Sequence, residues 1–306
     1  MSDQHPLDGK VILVTGAGGG IGRAIALEAA KAGASVVVND LGASLDGKRE
    51  SSEAADNVVS EIEKLGGKAV ANGDSVADPD GAKAMVKQAT DSFGRLDAVV
   101  NNAGILRDCF FHKMTYEDFD AVVKVHLYGS FNTSRAAADV FRQQESGSLI
   151  HMTSTSGLIG NLAQANYSAA KLGVASLSKS IALDLARWNV RSNCIAPFAW
   201  SRMTSSIKVD SPEQEERVNR MKEMVPEKIA PLALHLASDE GADITGQIFA
   251  VRNNEMFLMS QPRPVRSVHH GDGWDIESVR KQAIPALRPS FQPLDVSGDV
   301  FCWDPV

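Results

Sequence analysis

A doubly wound α/β fold, a parallel seven-stranded sheet flanked by helices in one domain, is the architecture this sequence predicts. Short β-branched runs alternate regularly with longer amphipathic stretches, as repeated strand–helix–strand units require. A glycine-rich turn falls between the first of those runs and the first helical stretch. The 306 residues, 43% of them hydrophobic and 23% charged, are enough for one well-buried core of this kind.

The strands are predicted over 10–14, 35–39, 68–72, 98–101, 148–152, 191–195 and 247–251, with helices filling the gaps. The helix over 22–31 is rich in alanine and ends before Gly33, a residue able to stop a helix in the left-handed conformation. The helix over 57–65 ends likewise before Gly66 and Gly67. No internal repeat, low-complexity segment or linker precedes residue 252. From Asn253 onward the character changes: prolines become frequent (Pro262, Pro264, Pro285, Pro289, Pro293, Pro305) and one short helix is predicted, over 275–282. The chain thus divides into residues 1–252, which carry the dinucleotide-binding and catalytic features below, and an extension, 253–306. The extension is too short for a core of its own, so it is expected to lie on the main domain or on a neighbouring subunit.

A net charge of −7 leaves no clustered basic face for nucleic acid. Cys109, Cys194 and Cys302 are widely spaced and form no CxxC pair, so neither a disulfide framework nor a zinc site is expected, and a reducing cytoplasm is. The polar first ten residues lack the apolar core of a signal peptide, no apolar run approaches the roughly 18 residues of a membrane span, and the final Asp-Pro-Val is not a peroxisomal address.

The first chemical motif is Thr15-Gly16-Ala17-Gly18-Gly19-Gly20-Ile21-Gly22, directly after a strand and directly before a helix. Gly16, Gly20 and Gly22 allow positive φ and close backbone approach, so a pyrophosphate can rest on the helix N-terminus with Ile21 beside it. The spacing is G-x-x-x-G-x-G, unlike the G-x-G-x-x-G of two-domain dehydrogenases. Asp40 closes the second strand, where a carboxylate can accept from the adenosine ribose hydroxyls and repel a 2′-phosphate, which favours NAD over NADP. No arginine stands at 41–43; Lys48 and Arg49, further along the loop, keep some NADP use open.

Two more loops follow strands of the same sheet. Asp74 and Ser75 come after the third, where the carboxylate can accept from an adenine amino group. Asn101, Ala103 and Gly104 come at and after the fourth, with small residues that let backbone pack close to a cofactor. Each loop taken alone reads equally well as an ordinary turn.

Tyr167 and Lys171, four residues apart on a helix, lie on one face, and Ser154 stands just past the strand over 148–152. A phenol is a poor base near neutral pH, and a neighbouring cation, with the positive charge of a nicotinamide, lowers its pKa. Tyr167 can then exchange a proton with a substrate oxygen that the Ser154 hydroxyl also holds, while hydride passes between substrate and nicotinamide. Tyr-x-x-x-Lys alone is common in helices. The upstream glycine motif, the serine, and the small run Ser168-Ala169-Ala170 make it informative here.

On these motifs, the sequence from about residue 7 to 252 resembles the short-chain dehydrogenase/reductase family, which implies a single-domain Rossmann fold. More narrowly, Asn101 to Asp108, Val125-His126-Leu127, Asn166 to Lys171, Ala196-Pro197 and Ser201 to Thr204 resemble the hydroxyacyl-CoA dehydrogenase part of peroxisomal multifunctional enzyme type 2, also known as 17β-hydroxysteroid dehydrogenase type 4. The resemblance implies NAD as cofactor, contacts from Tyr167, Lys171 and Pro197 to it, and a (3R)-3-hydroxyacyl-CoA or 17β-hydroxysteroid as substrate. It also implies a homodimer or homotetramer. His126 stands where most members carry an asparagine that helps hold a proton-relay water, a histidine the subgroup shares. Phe198 replaces the glycine usual after Pro197, and the tail after Asn253 falls outside the resemblance.

The segment 201–228 has the polar, helical look of a lid that selects substrate. Its Arg202, Lys208, Arg217, Arg220 and Lys222 can meet coenzyme A phosphates or simply be solvated among the interleaved acids. Trp200, Phe198, Met203, Phe110 and Phe111 suit a steroid or acyl chain, or core packing. A second class of function, an NAD-binding redox sensor without turnover, fits the same fold, but it has no need of Ser154, Tyr167 and Lys171 together.

Overall fold

The computed structural model describes residues 5–42, 53–199 and 212–306. All seven predicted strands form: β1 (Val11–Thr15), β2 (Ser35–Asn39), β3 (Lys68–Asn72), β4 (Ala98–Asn101), β5 (Gly147–Met152), β6 (Val190–Phe198) and β7 (Ile248–Arg252). They stand in the order β3-β2-β1-β4-β5-β6-β7 and all run parallel. Among the described residues the sheet has eight strands, not seven. β8 (Glu255–Leu258) follows β7 through a tight reversal and pairs antiparallel with it, Arg252 opposite Glu255. Asn253, at φ +54, supplies the left-handed residue that this reversal needs, a conformation asparagine tolerates better than most side chains.

Because both faces of the sheet are covered, its strands read as unbroken apolar runs, yet their residues still alternate between two layers. Ile12, Val14, Val36 and Val38 pack into the cluster that includes Ile25, Ala26 and Ala29 of α1 (Gly20–Lys31) and Val58 and Ile62 of α2 (Ala54–Lys64). Val11, Leu13 and Val37 point the other way, towards Met85 and Val86 of α3 (Pro79–Phe93).

On the second face, α4 (Tyr116–Val123) passes through a wide π-turn over Lys124–Tyr128 into α5 (Gly129–Gln144). The π-turn carries the buried His126. After β5 come the short α6 (Thr155–Leu158) and the long α7 (Ala165–Leu185); after β6 come α8 (Pro212–Lys222) and α9 (Ala230–Ala237). The predicted helix over 275–282 is longer than expected. Ile276–Ser278 (α10) runs through a π-turn over Val279–Ala283 into Ile284–Leu287 (α11), and Ser297–Val300 forms α12.

The strand order reverses at β1, whose neighbours are β2 and β4, so the connections after β1 and β4 part to opposite sides and leave a crevice at their carboxyl ends. Among the described residues no helix is long and apolar enough to cross a membrane, and no cluster of His, Cys, Asp or Glu is placed to hold a metal ion. Cys109, Cys194 and Cys302 are all free thiols.

Candidate active site

The glycine turn lies at that crevice and is fastened from the neighbouring strand. Thr15 Oγ accepts the backbone N–H groups of Asn102 (3.0 Å) and Ala103 (3.1 Å), and Asn102 Nδ2 donates to the carbonyls of Thr15 and Gly16, both at 3.0 Å. Gly16 sits at φ +62, where a Cβ would come within 2.8 Å of Ala103 Cα. A Cβ on Gly22 would lie 2.2 Å from the Gly16 carbonyl oxygen, so turn and helix approach too closely for any side chain. Gly20, at φ +51, faces open space instead. Ile21 is half-buried and packs on the core below the turn. Thr15, which opens the glycine motif, and Asn102, just past β4, do this fastening, a role the motif's spacing alone does not reveal.

Asp40 lies against the same turn. Its Oδ2 accepts from Gly18 N at 2.8 Å and its Oδ1 from Gly42 N at 2.7 Å, which fixes the carboxylate at the end of β2 beside the glycines. Asp74 is tied by a polar chain that runs across β2 and β3. Asn39 Nδ2 donates to Asn72 Oδ1 (2.8 Å) and to the Asp74 carbonyl (2.9 Å), and Asn72 Nδ2 donates to Asp74 Oδ2 (2.9 Å). Ser75 Oγ accepts weakly from Ala77 N at 3.3 Å. Asn101, in contrast, turns its amide inward: Nδ2 donates to Ser134 Oγ and His151 Nδ1, each at 3.2 Å, and Oδ1 accepts from Thr133. Its side chain is therefore committed to the protein interior, whereas Ala103 and Gly104 remain at the crevice. Gly104 is needed there because a Cβ would lie 2.4 Å from the His126 ring.

Ser154, Tyr167 and Lys171 converge past the carboxyl end of β5. Ser154 caps α6, its Oγ accepting from Ser156 N at 3.1 Å, and the same hydroxyl lies close enough to the Tyr167 phenol to favour its ionised form. Lys171 is 4% exposed; its Nζ donates to the Met152 carbonyl at 2.6 Å and lies 5.5 Å from the centroid of the Tyr167 ring. Burial pulls the Lys171 ammonium down to about 7. Burial also pushes the Tyr167 phenol up, opposed by the nearby Ser154 hydroxyl. The lowering of Tyr167 expected from a neighbouring cation is thus not what the protein alone shows. The cation is itself weakened by desolvation, and its proton is directed at a carbonyl.

His126 packs edge-on against Tyr167, with ring centroids 5.2 Å apart. Its Nε2 lies 2.8 Å from the Ile105 carbonyl and 3.1 Å from Ile105 N, its role there set by the tautomer, and its buried Nδ1 has no hydrogen-bond partner among the described residues. Burial first, and Lys171 second, hold it down at about 3, so the ring is neutral. Pro197 lies near the end of β6, opposite Val251, and is half-buried.

Of the lid residues, Trp200, Arg202, Met203 and Lys208 lie outside the described residues, as do Lys48 and Arg49 of the loop after Asp40 and the side chain of Arg217. Arg220 pairs with Glu216 and, at 3.5 Å, with Asp304 of the tail, and Lys222 bonds Asn219, so both engage protein partners. Phe110 and Phe111 are exposed, while Phe198 is half-buried against the tail.

The family model described as short chain dehydrogenase matches residues 10–212. The chain is 52% identical over 234 residues to a short-chain type dehydrogenase/reductase of Mycobacterium tuberculosis, covering 76% of this chain and 79% of that one. It is 49% identical over 251 residues to peroxisomal multifunctional enzyme type 2 of Mus musculus, covering 82% of this chain and 32% of the mouse protein, so it spans about a third of that relative's length. A solved structure of 7α-hydroxysteroid dehydrogenase complexed with NADH and 7-oxo glycochenodeoxycholic acid is similar at a TM-score of 0.71 and 31% identity, over 82% of this chain and 96% of that one.

Proposed function

The chain belongs to the short-chain dehydrogenase family, and on that premise we propose that it is an NAD-dependent enzyme interconverting a secondary alcohol and a ketone, with a 3-hydroxyacyl-CoA or a 17β-hydroxysteroid as substrate. The observation that carries the reading is the convergence of Ser154 and Tyr167 with the buried Lys171, whose Nζ lies 5.5 Å from the Tyr167 ring centroid, at the same sheet edge as the glycine turn.

The crevice fits a dinucleotide. The open space at Gly19 and Gly20 leaves the N-terminus of α1 free to receive a pyrophosphate, and Asp40 is held where a ribose would meet its carboxylate. A carboxylate there repels a 2′-phosphate, which supports NAD, as does the NADH in the related hydroxysteroid dehydrogenase structure. Asp74, Ala103, Gly104 and Pro197 would line the remaining length of the cofactor, with Ser75, Asn101 and Ile21 shaping the backbone under it. The bound nicotinamide supplies or accepts the hydride.

The chain's own residues manage the proton. The Ser154 hydroxyl and the Tyr167 phenol hold the substrate oxygen between them, and Tyr167 takes or gives the proton at its phenolic oxygen. Lys171 sits beneath the ring, and its ammonium favours the phenolate whenever both charged forms are present.

The substrate class rests on the similarity to peroxisomal multifunctional enzyme type 2 and to the hydroxysteroid dehydrogenase. A homodimer or homotetramer belongs to the same proposal, supported by the exposed Phe131 of α5 and Leu172 and Leu183 of α7. So does a reducing cytoplasm, supported by three free thiols. Titration with NAD and with NADP, followed by turnover of both substrate classes, tests the reading. Tighter binding of NADP than NAD would overturn the cofactor assignment.

A further inference from the structure

The helix that carries Tyr167 starts without an ordinary cap. Gln164 stands at the N-cap of α7, yet its side chain caps none of the first N–H groups, which need partners from outside the helix ladder. The N–H of Tyr167 itself is met by the preceding side chain: Asn166 Oδ1 accepts it at 2.7 Å. Just before the helix, Ala163 sits at φ +60, a left-handed conformation that alanine adopts only where its surroundings dictate it.

Those surroundings come from the loop after β4. Cys109 N donates to the Ala163 carbonyl at 2.8 Å, and Gln164 Nε2 donates to Asp108 Oδ2 at 2.8 Å. Asn166 Nδ2 donates to the Arg107 carbonyl at 2.9 Å and to the Asp118 carbonyl of α4 at 3.3 Å. Successive residues 107–109 thus bond the stretch 163–166 that leads directly into Tyr167. Gln164 and Asn166 are both buried, where an amide that loses its partner cannot turn to water instead. The same loop begins at Asn102 and Ala103, whose N–H groups are held by Thr15 at the glycine turn.

From this we propose that Asp108, Gln164 and Asn166 are positioning residues: the loop after β4 moulds the first turn of α7 and so sets where the Tyr167 phenol stands against Ser154 and Lys171. The inference rests on the dehydrogenase reading above and goes beyond it by naming what holds the proton-transfer group in place. Lys171, one turn further along α7, is tied to β5 through the Met152 carbonyl, whereas the turn at Tyr167 is tied to the β4 loop through this clamp. A phenol held from both sides keeps its distance to a reacting oxygen, where a misplacement of about 1 Å is enough to cost about a hundredfold in rate. Burial first, and the exposed Asp108 carboxylate after it, raise the Tyr167 phenol; His126 of the π-turn and Lys171 of α7 also face the ring.

The experiment uses the full chain with Asp108→Leu, Gln164→Leu, both together, and Asp108→Asn, each confirmed folded by circular dichroism. With a 3-hydroxyacyl-CoA or 17β-hydroxysteroid that the unaltered protein turns over, each single leucine variant is expected to lower kcat about tenfold while KM and NADH affinity stay within about twofold. The double variant falls no further than the singles, since the same bond is lost in all three. Asp108→Asn, which still accepts from Gln164, recovers most of kcat, and its alcohol oxidation rises at lower pH because the charge near the phenol is gone. Unchanged kcat in the leucine variants, or losses that multiply in the double variant, overturns the proposal. If the unaltered protein turns over nothing, the dehydrogenase reading fails, and the phenol's own titration, read by ultraviolet difference against Tyr167→Phe, decides the clamp. Gln164→Leu keeps every charge: a phenol that ionises closer to its ordinary value there, as water reaches a loosened turn, supports the clamp, and an unmoved titration overturns it.

Discussion

Lys171 holds its ammonium nitrogen 5.5 Å from the centroid of the Tyr167 ring while donating a hydrogen bond to the Met152 carbonyl at 2.6 Å. The lysine is thereby tied to the end of β5, the same strand end that leads into Ser154, so one stretch of backbone sets the positions of cation, phenol and hydroxyl together. Burial brings Lys171 down to about 7 and pushes Tyr167 up.

Replacing Tyr167 with Phe removes the proton-transfer group and keeps the ring that packs on His126. Turnover is expected to fall by about 10²–10⁴-fold or more with NADH affinity nearly unchanged, measured by steady-state kinetics and fluorescence titration. In the unaltered enzyme, alcohol oxidation should rise with pH, because it needs the phenolate and burial raises that pKa. A variant with undiminished kcat removes Tyr167 from the mechanism.

Asp40→Ala is expected to weaken NAD binding about tenfold or more and to bring NADP affinity closer to that of NAD, read by parallel titrations. The loss has two origins: the ribose acceptor goes, and so do the bonds that tie Gly18 and Gly42 to the end of β2. An unaltered preference takes Asp40 out of the ribose site.

The glycines of the turn are not equivalent. Gly22→Ala places a methyl 2.2 Å from the Gly16 carbonyl and is expected to cost about 1–3 kcal/mol in urea unfolding, along with cofactor affinity. Gly19, in extended conformation with nothing near its Cβ position, should accept alanine within about 0.5 kcal/mol of stability. Equal losses at the two positions contradict the packing described.

Acid stability should depend on buried imidazoles. His126 and His151 are held down at about 3 by burial and by Lys171, against an ordinary value of 6.5. Between those values the unfolded chain binds more protons than the folded one, so stability increases with pH across this window and is lost as pH falls from about 6.5 towards 3. In His151→Leu the slope of unfolding free energy against pH, measured by urea titration at pH 4, 5 and 6, should shrink by up to about 1.4 kcal/mol per pH unit. An unchanged slope excludes His151 from this role.

The strands and the crevice were legible because they depend on local signals. Short β-branched runs such as Val36-Val37-Val38, bounded by turn residues, favour strands buried on both sides, and a glycine cluster between strand and helix marks its own turn. β8 was missed because four residues are too few to show a period, and their pairing with β7 depends on the left-handed Asn253. Asn101 and Asn102 read alike in the sequence, and only the register decides which of the two reaches the glycine turn and which turns inward. Nor did any local pattern bring Ser297 to Thr155 or Phe301 to Phe198, contacts that join residues more than a hundred positions apart.

The central claim is tested most directly by following NADH formation by absorbance with a panel of 3-hydroxyacyl-CoA thioesters and 17β-hydroxysteroids, each run with NAD and with NADP. Turnover of at least one class with NAD, well above the rate with NADP and lost in Tyr167→Phe, is the predicted result. Silence across the panel while NADH binding is intact would contradict it and leave a dinucleotide-binding protein without this turnover.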